Sequence, residues 1–315
     1  MYVLILNAEH DAHEFKSHVA SDFPDINFLA AREEDEVGDF IEKAEILVTL
    51  RISDSLLSRA KNVKWIQSTI TGTDYIEGLP SFRRRKDIIL TSSRGIHGPQ
   101  MSEMAIMFMI AMNRQFPRSI RNQDRRIWER WPTAMLFRKK VGILGVGAIG
   151  RSIAKKCKAF EMNVLGIGPH PKEIDEVDEF YTLDELHHVM AEVDYFICVA
   201  PSKPENRKML NAEAFSKMKP AAFFINIGRG EVVDEDALVQ ALKERKIAGA
   251  ALDTFCQEPL PGDHPFWGMD NVIITPHVGG MSDIYVQQAA NVFIENLKLF
   301  MKGEKENLIN LVPRR

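Results

Sequence analysis

Cysteine is scarce in this chain. Its three cysteines, Cys157, Cys198 and Cys256, are spread over 315 residues. That number and spacing give neither a disulfide framework nor a zinc pattern, and a reduced, cytoplasmic compartment is expected. Charge of one sign is also missing. A net charge of −4 predicts no nucleic-acid or anionic-membrane partner. The one dense basic run, Arg83-Arg84-Arg85-Lys86, lies between two apolar stretches and reads as a solvated loop. The longest greasy stretch, Met104 to Met112, is well short of the ~20 residues that span a bilayer. No basic segment or cleavage site precedes Tyr2–Leu6, so no signal peptide is expected. Low-complexity stretches are absent as well, so no tethered tail is expected. The remainder is 45% hydrophobic and 27% charged, as in ordinary globular proteins, and long enough for two domains.

Strand-like and helix-like segments alternate. Tyr2–Leu6, Ile46–Leu50, Trp65–Ile70 and Ile88–Thr91 read as short strands, with helical segments such as Asp54–Lys61 between them. This alternation predicts a parallel sheet covered by helices. Gln100 to Arg130 reads as a long helix broken near Pro117, with a Met-rich apolar surface suited to burial or self-association. From Lys140 the alternation restarts. Val141–Leu144, Asn163–Ile167, Tyr195–Val199, Ala222–Asn226, Ala248–Leu252 and Val272–Ile274 are the strand candidates. Six strands match the two βαβαβ halves of a dinucleotide domain. Ser282 to Lys302 has helical spacing and reads as a closing helix that crosses back to the first unit.

Gly145-Val146-Gly147-Ala148-Ile149-Gly150 sits between the strand Val141–Leu144 and a helical segment, Ile149 to Phe160. That is the context the dinucleotide fingerprint requires. Gly145 allows the tight turn, Gly147 lets backbone approach a pyrophosphate, and Gly150 lets helix pack on strand. The helix N-terminus favours the phosphates. The loop falls mid-chain, so the ~140 residues before it need a function of their own.

Three further motifs follow predicted strands: Ile227-Gly228-Arg229-Gly230, Asp253 to Leu260 with Glu258, and Thr275-Pro276-His277-Val278-Gly279-Gly280. In open α/β sheets the ligand crevice lies beyond the carboxyl ends of the strands. Taken singly, Arg229 is a loop charge, Glu258 a solvated acid and His277 a satisfied core histidine. Their joint placement after successive strands argues for a site.

With these motifs the chain resembles the D-isomer-specific 2-hydroxyacid dehydrogenases, closest to the glyoxylate/hydroxypyruvate reductase-like members, over nearly its whole length. The resemblance implies an α/β protein of two doubly wound parallel-sheet domains. A Rossmann NAD(P)-binding domain, 96–282, is inserted into a flavodoxin-like substrate domain, 1–95 and 283–315. It places the substrate-binding arginine at Arg229, the acid at Glu258 and the general acid/base at His277. The carboxylate-binding turn falls on Ile70-Thr71-Gly72-Thr73, with Thr71 and Gly72 binding substrate. The cofactor falls to Gly145, Gly147, Ala148, Ile149, Gly150, Pro201, Ile227, Gly279 and Asp253, the last holding the nicotinamide carboxamide. Arg51 occupies a place where several relatives have a basic residue touching the substrate's anionic end, and otherwise reads as a surface arginine. Trp128-Glu129-Arg130-Trp131 resembles a segment that reaches into the partner subunit's cleft, which makes Trp131 a substrate-binding candidate; aromatic packing at a subunit interface is the alternative. A homodimer is implied and a metal is not. His10, His13 and His18 lack accompanying ligands of fitting geometry and read as surface helix residues, as do His187 and His188.

The chemistry of a 2-keto acid agrees. A planar guanidinium binds a carboxylate and its adjacent carbonyl with fixed geometry. Arg229 would stabilise the charge that grows on the carbonyl oxygen, and His277 would protonate it. Glu258 on the other ring nitrogen would fix the tautomer and favour the imidazolium.

An NAD site usually has an acid at the end of its second strand, ~20 residues beyond the glycines. Here Gly168 takes that place, followed by Pro169, His170, Pro171 and Lys172, and the first carboxylate is Glu173. With His170 and Lys172 nearby, NADP(H) is expected over NAD(H), which stays possible because the usual arginine is missing. The expected reaction is reduction of a small 2-keto acid, such as glyoxylate or hydroxypyruvate. A phosphoglycerate dehydrogenase fits less well, since that class often carries a C-terminal regulatory domain. Formate dehydrogenases have an amide where Glu258 stands. A phosphite dehydrogenase keeps the same three residues. A cofactor-sensing corepressor of the same fold is the alternative of another class, and the missing long tail counts against it.

Overall fold

The computed structural model describes residues 1–7, 11–171 and 173–313; His10 and Lys172 lie outside the described residues. The chain divides into two compact units, Met1–Ile96 with Ser282–Arg315, and His97–Met281.

The first unit holds five strands: β1 (Tyr2–Leu6), β2 (Asn27–Ala31), β3 (Ile46–Thr49), β4 (Trp65–Ser68) and β5 (Ile89–Thr91). They pair in parallel in the order β2-β1-β3-β4-β5, the flavodoxin-like order. Side chains alternate across the sheet. Leu4, Leu6, Leu47 and Ile66 face a core with Leu56, Leu57 and Phe82. Val3, Ile5, Ile46, Val48 and Trp65 face another with Phe15, Val19 and Phe293. Both faces are thus covered, and β3 and β4 are buried at every residue, as expected of a parallel sheet. The closing helix, Tyr285–Met301, belongs to this unit. Its Phe293 stacks on Trp65 with ring centroids 5.2 Å apart.

The second unit holds β6 (Lys140–Leu144), β7 (Asn163–Gly168), β8 (Glu179–Thr182), β9 (Tyr195–Cys198), β10 (Phe223–Asn226), β11 (Gly249–Leu252) and β12 (Val272–Ile274). The order is β12-β11-β10-β9-β6-β7-β8, with every pairing parallel. This is the Rossmann order with one further strand at its end, and the order of strands along the chain reverses between β6 and β9. The six strands read from the sequence are present; a seventh, β8, lies on the edge beside β7. Apolar cores cover both faces, one containing Phe196, Phe215 and Phe224 and the other Ile143, Ile153 and Phe108.

Two readings are corrected. The helix expected over 100–130 with a break near Pro117 is indeed broken there, into Gly98–Asn113 and Phe116–Asp124, but it ends at Asp124 and does not reach Arg130. Gln115 breaks them apart with a left-handed backbone (φ 51°), directly before Pro117, whose ring suits a first helical turn and not an interior. Arg126 (φ 56°) follows the second helix, and residues 127–135 are not helical. The basic run is only partly a loop. Arg83 and Arg84 end a short helix, Pro80–Arg84, while Arg85 donates to the carbonyls of Ala60 (3.0 Å) and Val63 (2.8 Å) and pairs with Asp87. No helix among the described residues is long and apolar enough to cross a membrane.

Candidate active site

The glycine loop leaves β6 at Gly145, whose φ of +101° lies where side chains other than glycine are strained. Space adds a second constraint, since a Cβ here would lie 2.9 Å from the Ala200 nitrogen. Gly150 sits in the first turn of the helix Ala148–Ala159, where a Cβ would fall 2.4 Å from the Gly145 oxygen. Gly147 differs from both: a Cβ there would meet no atom within 4 Å. The protein's own packing does not require a glycine at 147. Gly147 also caps the helix with no side-chain hydrogen bond, so the first-turn N–H groups of Ala148 and Ile149 remain suited to an anion. An open backbone cradle at a helix N-terminus fits a dinucleotide's pyrophosphate.

Around the loop, Ile227 is buried and Pro201 exposed. Gly168 ends β7, and a Cβ there would lie 3.1 Å from Cζ of Phe180 on β8. His170, two residues on, is exposed. The missing acid thus coincides with a strand end crowded by an aromatic ring.

At the rim beyond β11 and β12, Nδ1 of His277 lies 2.7 Å from Oε2 of Glu258. The other oxygen of Glu258 accepts the Phe255 N–H at 3.0 Å, which holds the carboxylate's orientation. His277 itself is left-handed (φ 53°), a conformation that costs on the order of 1–3 kcal/mol when surroundings impose it. Asp253 supplies that restraint. It is 1% exposed, and its carboxylate accepts the Thr275 hydroxyl (2.5 Å), the Val278 N–H (3.0 Å) and the Gly279 N–H (3.0 Å). Donors on both sides of His277 therefore converge on one buried acid. A Cβ at Gly279 would fall 2.8 Å from that same carboxylate.

Arg229 follows β10 and is exposed. Its guanidinium donates to the Gly228 carbonyl at 2.7 Å. Its link to the Glu258 loop runs through backbone: a Cβ at the next residue, Gly230, would lie 2.0 Å from the Phe255 carbonyl carbon. The structure therefore joins His277 to Glu258 directly, and the turn carrying Arg229 to the Glu258 loop by close backbone approach. Sequence reasoning missed Gly230 and Thr275 as supports. Both stand beside a motif residue, in Arg229-Gly230 and Thr275-Pro276-His277, and that adjacency was the available signal.

In the first unit, the Arg51 guanidinium lies 4.3 Å from the Tyr75 ring centroid, so the arginine follows β3 with its plane against an aromatic face. Thr71 and Gly72 follow β4, partly buried. Trp131 is packed within its own chain: its Nε1 donates to the Arg114 carbonyl (3.3 Å) and Arg118 lies 4.5 Å from its ring. Arg118 also pairs with Glu129. Trp128, by contrast, is 95% exposed. His18 pairs with Glu14, His187 with Glu213 and His188 with Glu192 at their helix surfaces. No group of three potential ligands among the described residues is placed to hold a metal.

Seven parallel strands with a glycine loop at the switch point define a dinucleotide-binding domain. Residues 106–279 match the family model described as "D-isomer specific 2-hydroxyacid dehydrogenase, NAD binding domain", so the chain belongs to the D-isomer specific 2-hydroxyacid dehydrogenase family, whose members are NAD(P)-dependent oxidoreductases. It is 30% identical over 306 residues to the D-3-phosphoglycerate dehydrogenase of Methanocaldococcus jannaschii, across 95% of this chain and 58% of that protein. The chain thus spans little more than half the length of that relative. A solved family protein from Aeromonas salmonicida superimposes with a TM-score of 0.88 at 32% identity, covering 100% of this chain and 99% of that one. The NADPH-dependent glyoxylate/hydroxypyruvate reductase of Sinorhizobium meliloti, solved with NADP and sulfate, does so with 0.85 at 25% identity, covering 100% and 99%.

Proposed function

We propose that the protein reduces a small 2-keto acid, of the glyoxylate or hydroxypyruvate type, to its D-2-hydroxy acid, with NADPH preferred over NADH. The observation that carries this reading is the 2.7 Å contact between His277 Nδ1 and Glu258. It commits Nδ1 to the carboxylate and makes Nε2 the nitrogen that serves the substrate.

When bound, the reduced nicotinamide supplies a hydride. The chain's own residues do the rest. Arg229 swings its guanidinium from the Gly228 carbonyl onto the substrate and binds carboxylate and carbonyl together. As the carbonyl carbon is reduced, charge grows on its oxygen, where Arg229 stabilises it and His277 delivers the proton from Nε2. Glu258 stabilises the imidazolium and holds the ring. Asp253 keeps the His277 loop in its strained conformation and offers the nicotinamide carboxamide a partner. Thr71 and Gly72 take the substrate carboxylate through backbone N–H groups, and Arg51 takes any further anionic group.

Gly145, Gly147, Ala148, Ile149 and Gly150 hold the pyrophosphate, with Pro201, Ile227 and Gly279 alongside. Gly168 in place of an acid removes the repulsion of a 2′-phosphate, and His170 and Lys172 follow it in the sequence; this supports NADP(H). The solved S. meliloti reductase, which holds NADP, supports the same preference. Self-association as a homodimer is supported by the exposed hydrophobic side chains of Ile127, Trp128, Met135 and Phe137 in and beside the non-helical segment.

The test is steady-state kinetics on glyoxylate, hydroxypyruvate and the phosphorylated hydroxypyruvate expected of a phosphoglycerate dehydrogenase, each with both cofactors. The proposal predicts a higher kcat/KM with NADPH than NADH and with the two unphosphorylated acids. Saturable NADPH binding without turnover of any 2-keto acid would instead point to a cofactor-sensing binding protein.

A further inference from the structure

The turn after β4 is gripped by its carbonyl oxygens. Tyr285, the first residue of the closing helix, is 5% exposed, and its hydroxyl donates to the Thr69 carbonyl at 2.9 Å. The Ser93 N–H donates to the Ile70 carbonyl at 3.0 Å. The Ser68 hydroxyl lies 3.3 Å from the Ile70 carbonyl oxygen and 3.2 Å from that of Gly72, sharing its proton between them. The gripping groups are themselves fixed. Ser93 Oγ donates to the Ser68 carbonyl (2.9 Å) and accepts from Gln67 Nε2 (3.3 Å), and Asn296 of the closing helix donates to Gln67 Oε1 (3.1 Å).

A peptide unit is planar, and in its trans form the carbonyl and the following N–H point opposite ways. Fixing a carbonyl therefore aims the next residue's N–H. The Thr69 carbonyl held by Tyr285 turns the Ile70 N–H onto Ser68 Oγ (3.4 Å), which sets the Ser68 hydroxyl against the Ile70 and Gly72 carbonyls; those held carbonyls aim the N–H groups of Thr71 and Thr73 away from the Ser68 hydroxyl. Those are groups of the turn assigned above to the substrate carboxylate.

We propose that Tyr285 and Ser68 are positioning residues for substrate binding. Their hydroxyls hold the 69–73 backbone with its N–H groups presented to the 2-keto acid's carboxylate, so that the anion meets donors already oriented. This rests on the reading of the turn as the carboxylate site. Both hydroxyls act through the 69–73 backbone, so their loss acts on substrate affinity.

The experiment compares Tyr285→Phe and Ser68→Ala with the wild type. KM for glyoxylate and the inhibition constant of oxamate, a non-reacting 2-keto acid analogue, should rise together by about five- to twentyfold, the range for losing one buried hydrogen bond. The kcat and the Kd for NADPH should stay within about twofold. Unchanged KM and inhibition constant, or losses confined to kcat and NADPH affinity, would overturn the proposal. Should the variants not fold, amide hydrogen exchange on the wild type decides: oxamate with NADPH must slow exchange at Thr71 and Thr73, and no slowing sinks the idea. A wild type that neither reduces 2-keto acids nor binds oxamate fails the functional reading itself. A wild type that does both, with unaltered variants, fails only the positioning role.

Discussion

His277 Nδ1 sits 2.7 Å from Glu258 Oε2, and the partner oxygen of that carboxylate is tied to the Phe255 N–H. The imidazole is thus coupled to an acid that cannot rotate away without losing a backbone hydrogen bond. In the proposed reduction the imidazole hands a proton to the substrate oxygen, so this contact orients the donor.

Glu258→Gln removes the negative charge and keeps the shape. It should lower kcat for keto-acid reduction by about tenfold or more, because the imidazole loses the group that orients it for proton transfer, and leave NADPH affinity within about twofold. Steady-state kinetics with an NADPH titration checks this. A kcat at the wild-type value would remove Glu258 from the role given to it.

Two glycines separate cofactor binding from packing. Gly147→Ala meets open space, so the thermal midpoint without cofactor should stay put while NADPH affinity falls. Gly230→Ala drives a Cβ into the Phe255–Cys256 backbone. It should cost about 2 kcal/mol or more and lower Tm by several degrees. It should also reduce kcat, because the Arg229 and Glu258 loops are forced apart. Differential scanning calorimetry with NADPH titration tells the two apart, and equal Tm losses would contradict the distinction.

Cys256 is exposed yet shielded chemically. Burial of its sulfur, with the Glu235 and Glu231 carboxylates nearby, pushes the thiol up to about 11, and burial alone carries Cys157 and Cys198 to about 12. At pH 8 only about one Cys256 in a thousand is thiolate, the reactive form. Alkylation by iodoacetamide in native protein should be slow at all three sites and become complete on denaturation. Rapid native labelling of Cys256 would show that its surroundings are misjudged.

Trp128, at 95% exposure, contributes almost nothing to the fold of its own chain. Trp128→Ala should leave Tm of the monomer unchanged and weaken dimerisation by about tenfold or more, as for an aromatic anchor at an interface. Sedimentation equilibrium measures it. A wild type that stays monomeric at micromolar concentration, or a variant with unaltered association, would contradict the proposed dimer.

Strands buried on both faces were readable as apolar runs: β3, β4 and β9, buried at every residue, begin at the residues read from sequence. The two strands missed, β2 and β8, are edge strands. Of Asn27–Ala31 only Ala30 and Ala31 are buried, and of Glu179–Thr182 none is, so neither carries a strong hydrophobic signal. The helix expected through 127–130 was misread because Gln115 and Arg126 take positive φ, which side-chain periodicity does not report. Motif positions placed Arg229, Glu258 and His277 at strand ends, but not the 2.7 Å contact, the Asp253 grip on residues 275–279 or the turn of Arg229 toward Gly228. Those depend on loop backbone, where spacing carries little geometric information.

The most direct test is to compare wild type and His277→Gln for NADPH oxidation with glyoxylate and hydroxypyruvate, alongside NADPH binding by fluorescence titration. The account predicts saturable turnover by the wild type, a loss of at least about a hundredfold in kcat for the variant, and NADPH affinity unchanged within about twofold. No turnover of either acid by the wild type, or a variant that reduces them at the wild-type rate, would contradict it.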